Sequence, residues 1–350
     1  MLYVAIDQHC KQLTVNERNE QGDVTLRRQV STRPEAALKY VRELHERGEA
    51  HGGHAVILEV CGFNDWLIDL LRAYGCRDVV LVQPERRSKR KTDRRDANQL
   101  GELLWVNRHR LLAGKPVQDL RRIEIPTPQE AADRQLTTIR KNTGRRLTRV
   151  LNRISHLLFK HNLQHDQPTK HVKTKRCRAW LEELTLGELD RFELDQLLEE
   201  WDLLERHLKA QEDRIGQRQR EDSRAAAIVT VPGLSNYGSL AVASRVGRIE
   251  RFPRGASLAN FFGLAPGCRN SGESNDRIGS ITKQGSGIVR HVLGQAVLHV
   301  LRKDAWMRSW YQRIKRRRGT KVARVAVMRR LATVIWCMLK HNLPYISGGP

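Results

Sequence analysis

The first hundred residues switch between two hydrophobic periods in an order that few folds accommodate. Leu2 to Asp7 (LYVAID), Lys11 to Arg18 (KQLTVNER) and Asp23 to Ser31 (DVTLRRQVS) read as strands, with Asn19 to Gly22 supplying a turn. Strands this closely spaced open the chain as a meander. Residues 33–48 (RPEAALKYVRELHERG) then change to helical spacing at Ala37, Leu38, Val41 and Leu44, between Pro34 at the start and Gly48 at the stop. AVILEV (Ala55 to Val60) is a short apolar run of the kind buried in a parallel sheet. NDWLIDLLRAYG reads as a helix, DVVLVQ as another strand, and a further helix begins near Thr92. The order β-β-β-α-β-α-β-α gives three antiparallel strands followed by βαβ units, an α/β domain.

The remaining chain reads as helix. From Pro128 to about Asn162, Leu136, Ile139, Leu147, Val150, Leu151, Ile154 and Leu158 largely keep helical spacing. From Glu193 to Glu221, Leu194, Leu197, Leu198, Trp201, Leu204 and Leu208 recur at steps of three and four. The two segments suggest a helical hairpin or coiled coil, and an ordinary helical bundle fits the pattern equally. After Ser223 the chain becomes rich in Gly and Ser, with apolar residues recurring in short helices. The expected class is α/β plus α: an α/β domain over 1–122, a helical connector over 123–222 and a mainly helical domain over 223–350.

Charge narrows the function. Sixty-three Lys and Arg against 39 Asp and Glu leave +24, an excess that implies a polyanionic partner because each neutralised phosphate releases counterions. The excess is clustered, for no acidic residue occurs from Ala305 to Pro350. Nucleic acid fits better than a membrane surface, since no strongly apolar face accompanies the basic run and no apolar stretch is long enough to span a bilayer. The N-terminus starts on a strand pattern without the order of a signal peptide, so a cytoplasmic, nucleoid-associated protein is expected. Six cysteines without a CxxC pair and thirteen histidines without a ligand pattern argue against a zinc site.

Two acids stand inside one of the most basic runs, RRSKRKTDRRDANQLGELL: Asp93 and Asp96, three apart on the expected helix. Side chains at that spacing face one way, so two carboxylates can share a cation. Asp7 ends the first strand and Glu59 lies near the end of the fourth. An oxygen-only set suits Mg²⁺ or Mn²⁺, and two such ions can clamp the attacking and leaving oxygens of a phosphodiester. Taken singly each acid is a turn former or a helix-start residue; their joint placement in one α/β unit makes the four a candidate metal site.

These segments carry a resemblance. AIDQH, LEVCG and TDRRDANQL resemble the Asp-Glu-Asp-Asp set of an RNase H-like, RuvC-type domain. VPGLS, FFGLAPGCRNSGES and GSITKQGSGIVRHVL resemble the C-terminal domain of the DEDD transposases of bacterial insertion sequences, the 110 family and its 1111 group. The resemblance implies Mg²⁺ on Asp7, Glu59, Asp93 and Asp96, and a serine nucleophile that links covalently to DNA. It implies an element-encoded structured bridge RNA that pairs with donor and target DNA, and a homo-oligomer, dimer or tetramer. By motif the serine is Ser271, with Ser274 as runner-up because many relatives carry adjacent serines where this chain reads Asn270-Ser271-Gly272. Read from the residues alone, Ser271 is a loop serine with no neighbouring base. The alternative is a RuvC-like junction nuclease that uses water.

Phosphate contacts are expected from Arg94 and Arg95 beside the acids, from Lys283 and Arg290 in ITKQGSGIVRHVLGQ, and from Arg316, Arg317 and Arg318 in the basic tail. VTVPGLSNYGSL resembles half of a helix-hairpin-helix, with Ser235 at the usual second glycine; a plain structural turn is an equal reading. Aromatics at 5% are too sparse for base stacking to dominate, which favours duplex or structured RNA held through its backbone.

Overall fold

The computed structural model describes residues 1–84, 93–118, 120–268 and 278–348, with backbone alone at 84, 93–95, 268 and 278. Two units divide the chain, Met1–Ile125 and Pro126–Pro350.

The first unit contains β1 (Leu2–Gln8), β2 (Gln12–Arg18), β3 (Val24–Ser31), α1 (Pro34–Ala50), β4 (His54–Glu59), α2 (Asp65–Ala73), β5 (Asp78–Pro84), α3 (Asp93–Val106), α4 (Arg108–Leu112) and β6 (Leu120–Ile123). One sheet runs in the order β3-β2-β1-β4-β5-β6. The meander pairs antiparallel, β4 joins β1 in parallel and β5 joins β4 in parallel, as the alternation of patterns implies. The sequence reading does not anticipate β6, which adds antiparallel to β5. Alternation along the strands splits the core in two. Leu2, Val4 and Ile6 pack with Tyr40, Val41 and Leu44 of α1 and Leu67 and Leu71 of α2. Tyr3, Ala5, Ile57, Val80 and Val82 pack on the other face with Leu100 and Leu104 of α3.

A buried carboxylate on β2 is satisfied within the first of these layers. Glu17 accepts from the Tyr40 hydroxyl at 2.9 Å and from Arg47 at 2.7 and 3.2 Å. Burial, and then the Glu17 charge, push the Tyr40 phenol well up, so it stays a donor.

The second unit comprises α5 (Pro128–Lys160), α6 (Lys175–Glu183), α7 (Glu188–Glu221), α8 (Ser223–Ile228), α9 (Asn236–Val246), α10 (Gly255–Phe261), β7 (Pro266–Cys268), β8 (Ile278–Ile281), α11 (Gly287–Lys303) and α12 (Ala305–His341). Thr127 and Glu130 close a capping box at the start of α5. The long helices α5 and α7 pack lengthwise. Toward one end they close a core with α6, built on Leu147, Ile154, Leu181, Leu194, Leu198 and Trp201. Toward the other they join α8 and α9: Arg218 reaches Asp133 at 3.0 Å, Arg224 reaches Glu130 at 2.7 Å, and Arg134 donates to the Ser244 carbonyl at 2.7 Å. A second core runs through α8 to α12. Helix α12 spans the acid-free tail and is interrupted at Gly319, whose φ of 79° is open to glycine. Among the described residues no helix is long and apolar enough to cross a membrane.

Candidate active site

Asp7 is the penultimate residue of β1, opposite Thr14 of β2. The parallel register of β1 on β4 runs from Leu2 beside His54 to Ile6 beside Leu58. One residue further, Asp7 stands level with Glu59, on strands about 4.8 Å apart. Alternation puts Asp7 on the same face as Tyr3 and Ala5, and Glu59 on the same face as Ile57, which is the face covered by α3.

The direction of α3 follows from its contacts. Asn98 accepts from Asn16 at 3.3 Å, Glu102 pairs with Arg18 at 2.7 Å, and the Trp105 indole donates to the Glu20 carbonyl at 3.2 Å. Asn16 lies opposite Ala5 and Arg18 opposite Tyr3, so α3 advances toward the start of β1. Its first turn, carrying Asp93 and Asp96, therefore points to the Asp7 end of the sheet. Asp7 and Glu59 thus stand at the end of the sheet face toward which the first turn of α3 points. Among the described residues no group of three or more His, Cys, Asp or Glu side chains stands close enough to hold a metal. The side chains of Asp93, Arg94 and Arg95 lie outside the described residues.

Neighbouring groups stiffen this end. Asp7 is buried, and His9 Nε2 is 3.1 Å from its Oδ2. Asn64, ahead of α2, donates to Gln8 Oε1 at 2.9 Å and to the Glu59 carbonyl at 3.1 Å, while Gln8 donates to the Phe63 carbonyl at 2.9 Å. The ends of β1 and β4 are thus tied to each other through the 60–64 loop.

Sequence reasoning missed this tie and the polar seam beneath α3. Asn98 Oδ1 accepts from both Asn16 and Arg18, and Arg18 also donates to the Gly22 carbonyl at 2.9 Å. A signal was present: Gly101 inside a helical pattern marks a close approach of another group.

In the second unit, Ser271 and Ser274 fall outside the described residues. The strands that flank them, β7 and β8, form a two-stranded antiparallel hairpin. Lys283 is exposed and takes a φ of 55°. Arg290 braces the base of the hairpin, its Nη1 donating to the carbonyls of Phe262, Gln284 and Gly285 at 3.0 to 3.3 Å. Ser235 caps α9 by accepting from the Gly238 N–H, and Ser286 caps α11 by accepting from the Val289 N–H. Both turns thus act as helix starts. Arg316, Arg317 and Arg318 are exposed just before the Gly319 interruption.

Residues 225–312 match the model of the IS116/IS110/IS902 transposase family. The chain is 26% identical over 312 residues to a probable family 20 transposase of Pseudomonas aeruginosa, covering 84% of this chain and 86% of that protein. It is 27% identical over 317 residues to the transposase for insertion sequence element IS1111A of Coxiella burnetii, covering 84% and 79% respectively. The chain is thus similar to IS110-family transposases, over this segment by the family model and over most of its length at 26 to 27% identity. The matched segment runs from α8 to the start of α12 and includes the hairpin between β7 and β8. The acids of the first unit lie outside that segment. DNA is the substrate of such a transposase.

Proposed function

We propose that this transposase is an RNA-guided DNA recombinase whose RNase H-like, RuvC-type N-terminal domain holds Mg²⁺ on Asp7, Glu59, Asp93 and Asp96 and whose C-terminal domain supplies Ser271 as nucleophile. One observation carries the reading: Asp7 and Glu59 stand level on adjacent parallel strands, and the first turn of α3 points to the same end of the same face. Four carboxylates gathered without a cation would repel, and an all-oxygen set is suited to Mg²⁺ with Mn²⁺ as substitute. Bound there, the ion supplies Lewis-acid stabilisation of charge on a phosphodiester.

The serine step conserves bond energy. The Ser271 oxygen attacks phosphorus as the bond to one deoxyribose oxygen breaks; the serine loses its proton and the released strand end gains one. Attack by the hydroxyl of another strand on the phosphoserine re-forms a phosphodiester and returns the serine, so joining needs no external energy source.

The partners follow from charge. An excess of +24 suits both DNA and a structured bridge RNA, and base pairing by that RNA supplies sequence choice. Arg94, Arg95, Lys283, Arg290 and Arg316 to Arg318 serve the nucleic acid. A homo-oligomer brings the duplexes together, supported by exposed Phe159, Leu189 and Phe192 where the end of α5 meets the start of α7.

Replacing any of the four acids by its amide is expected to abolish strand cleavage in Mg²⁺ and spare DNA binding. Normal cleavage by Asp93→Asn would show that the acids are wrongly chosen.

A further inference from the structure

A groove of about 740 Å³ lies between the turn at Gly233, the outer face of α11 and one side of α12, lined by Arg290, His291, Gln295, His299 and Arg324 among others. We propose that this groove holds the sugar-phosphate backbone of a DNA strand and leads it to the hairpin between β7 and β8. The proposal deepens the DNA-binding part of the reading above by naming where the strand lies.

The lining holds no acid, and its charged and polar side chains are Arg290, His291, Gln295, His299 and Arg324, beside Leu298 and Met328. His291, Gln295 and His299 follow one another at one-turn steps on an exposed face of α11. Arg324 comes from α12 and is exposed, with no ion pair among the described residues. A groove whose polar groups are guanidinium, imidazole and amide, and whose nearest stretch of chain lacks carboxylates altogether, is complementary to a polyanion. No Phe, Tyr or Trp side chain lines it, so the main contact is with phosphate and sugar.

Its walls are rigid. Val292, Leu293, Ala296, Val297 and Val300 on the inner face of α11 are buried in the core shared with Val327 and Leu331 of α12. At the Gly233 turn φ is +86°, and an added Cβ would come 2.6 Å from His299, so the chain passes close over the groove with a backbone only glycine adopts easily. Arg290 connects the groove to the hairpin, because its guanidinium is anchored on the carbonyls of Phe262, Gln284 and Gly285 at the hairpin base. A strand lying in the groove is thereby led to the base of the hairpin.

The test measures binding of the full chain to a fluorescent DNA duplex without Mg²⁺ over a series of salt concentrations, so it reads the groove whether or not strand transfer follows Ser271. Arg324→Gln should lower the slope of log K against log salt by about 0.9, the share of one phosphate contact. His291→Gln with His299→Gln should weaken binding several-fold. Lys209→Gln, an exposed change of equal charge on α7, serves as control and should leave both unchanged. Groove variants that match the control would overturn the proposal, and so would a loss confined to a structured RNA probe.

Discussion

A β-carbon placed on Gly101 would lie 2.7 Å from Oδ1 of Asn16. That oxygen is buried, and the same amide donates to Asn98 at 3.3 Å, so Asn16 has little freedom to retreat. Helix α3 therefore sits on β2 at a distance set by a missing side chain and in a register set by Asn98, Arg18 and Glu102. Since the same helix carries Asp93 and Asp96, the seam also sets where those acids stand. Gly101→Ala gains about 1 kcal/mol of helix propensity. Overpacking costs about 1–3 kcal/mol. A net loss in urea unfolding is expected, and in an Asn16→Ala background the same change should become neutral or stabilising. Additive effects would show that the two residues do not press on one another.

Acid stability should depend on Asp304. This fully buried carboxylate caps α12 through the Met307 N–H at 2.8 Å and holds the tail through the Tyr345 hydroxyl at 2.7 Å and the Gly348 N–H at 3.0 Å. Burial pushes it up, but the hydrogen bonds outweigh burial and hold it below the usual carboxylate range. Its contribution is present above the unfolded value of about 3.9 and is lost as pH falls through the lower folded value. Asp304→Asn should destabilise the chain at pH 7 by about 1–3 kcal/mol and flatten the acid limb of a denaturation profile. An unchanged acid limb would contradict this.

The end of the α5–α7 pair should hold the oligomer together. Leu189 is 81% exposed and Phe159 and Phe192 are 61% exposed, while Lys160 and His161 reach Asp190 at 2.6 and 2.7 Å and fix the two helices there. Clustered apolar groups on rigid helices mark a contact surface. Leu189→Glu with Phe192→Glu should bring the mass seen by light scattering down to that of one chain. Retention of the larger mass would locate the contact elsewhere.

The basic tail should register in salt dependence. Arg316, Arg317 and Arg318 changed together to Gln should reduce the salt slope of DNA or bridge RNA binding by up to about 2.7, at 0.9 for each phosphate contact on duplex. A slope that stays unchanged would remove these arginines from the interface.

Much of the first unit was legible because burial dictated it. AVILEV and DVVLVQ carry unbroken apolar runs, Ala55 to Leu58 and Val79 to Val82, since helices cover both faces of β4 and β5, and the turn at Asn19 to Gly22 leaves a direct signature. Strand β6 was not legible: LRRI has no alternation, and its place is fixed by pairing with β5 and by Arg122 reaching Asp78 at 3.0 Å. Helix α12 was obscured by its charge, which masks the buried stripe of Ala323, Val327, Leu331 and Ile335. At the candidate site the acids could be chosen from strand ends and helix spacing. Asn16, Asn64 and Asn98 could not, because an amide's role depends on partners 56 to 82 residues away.

The central claim is that Ser271 forms a covalent bond to DNA. The chain is incubated with bridge RNA, donor and target DNA and Mg²⁺, then denatured and resolved for protein-linked DNA. The account predicts an adduct with the unaltered chain and with Ser274→Ala, and none with Ser271→Ala. An adduct that survives Ser271→Ala and vanishes in Ser274→Ala would move the nucleophile, and cleaved DNA without any adduct would contradict the recombinase reading in favour of a nuclease that uses water.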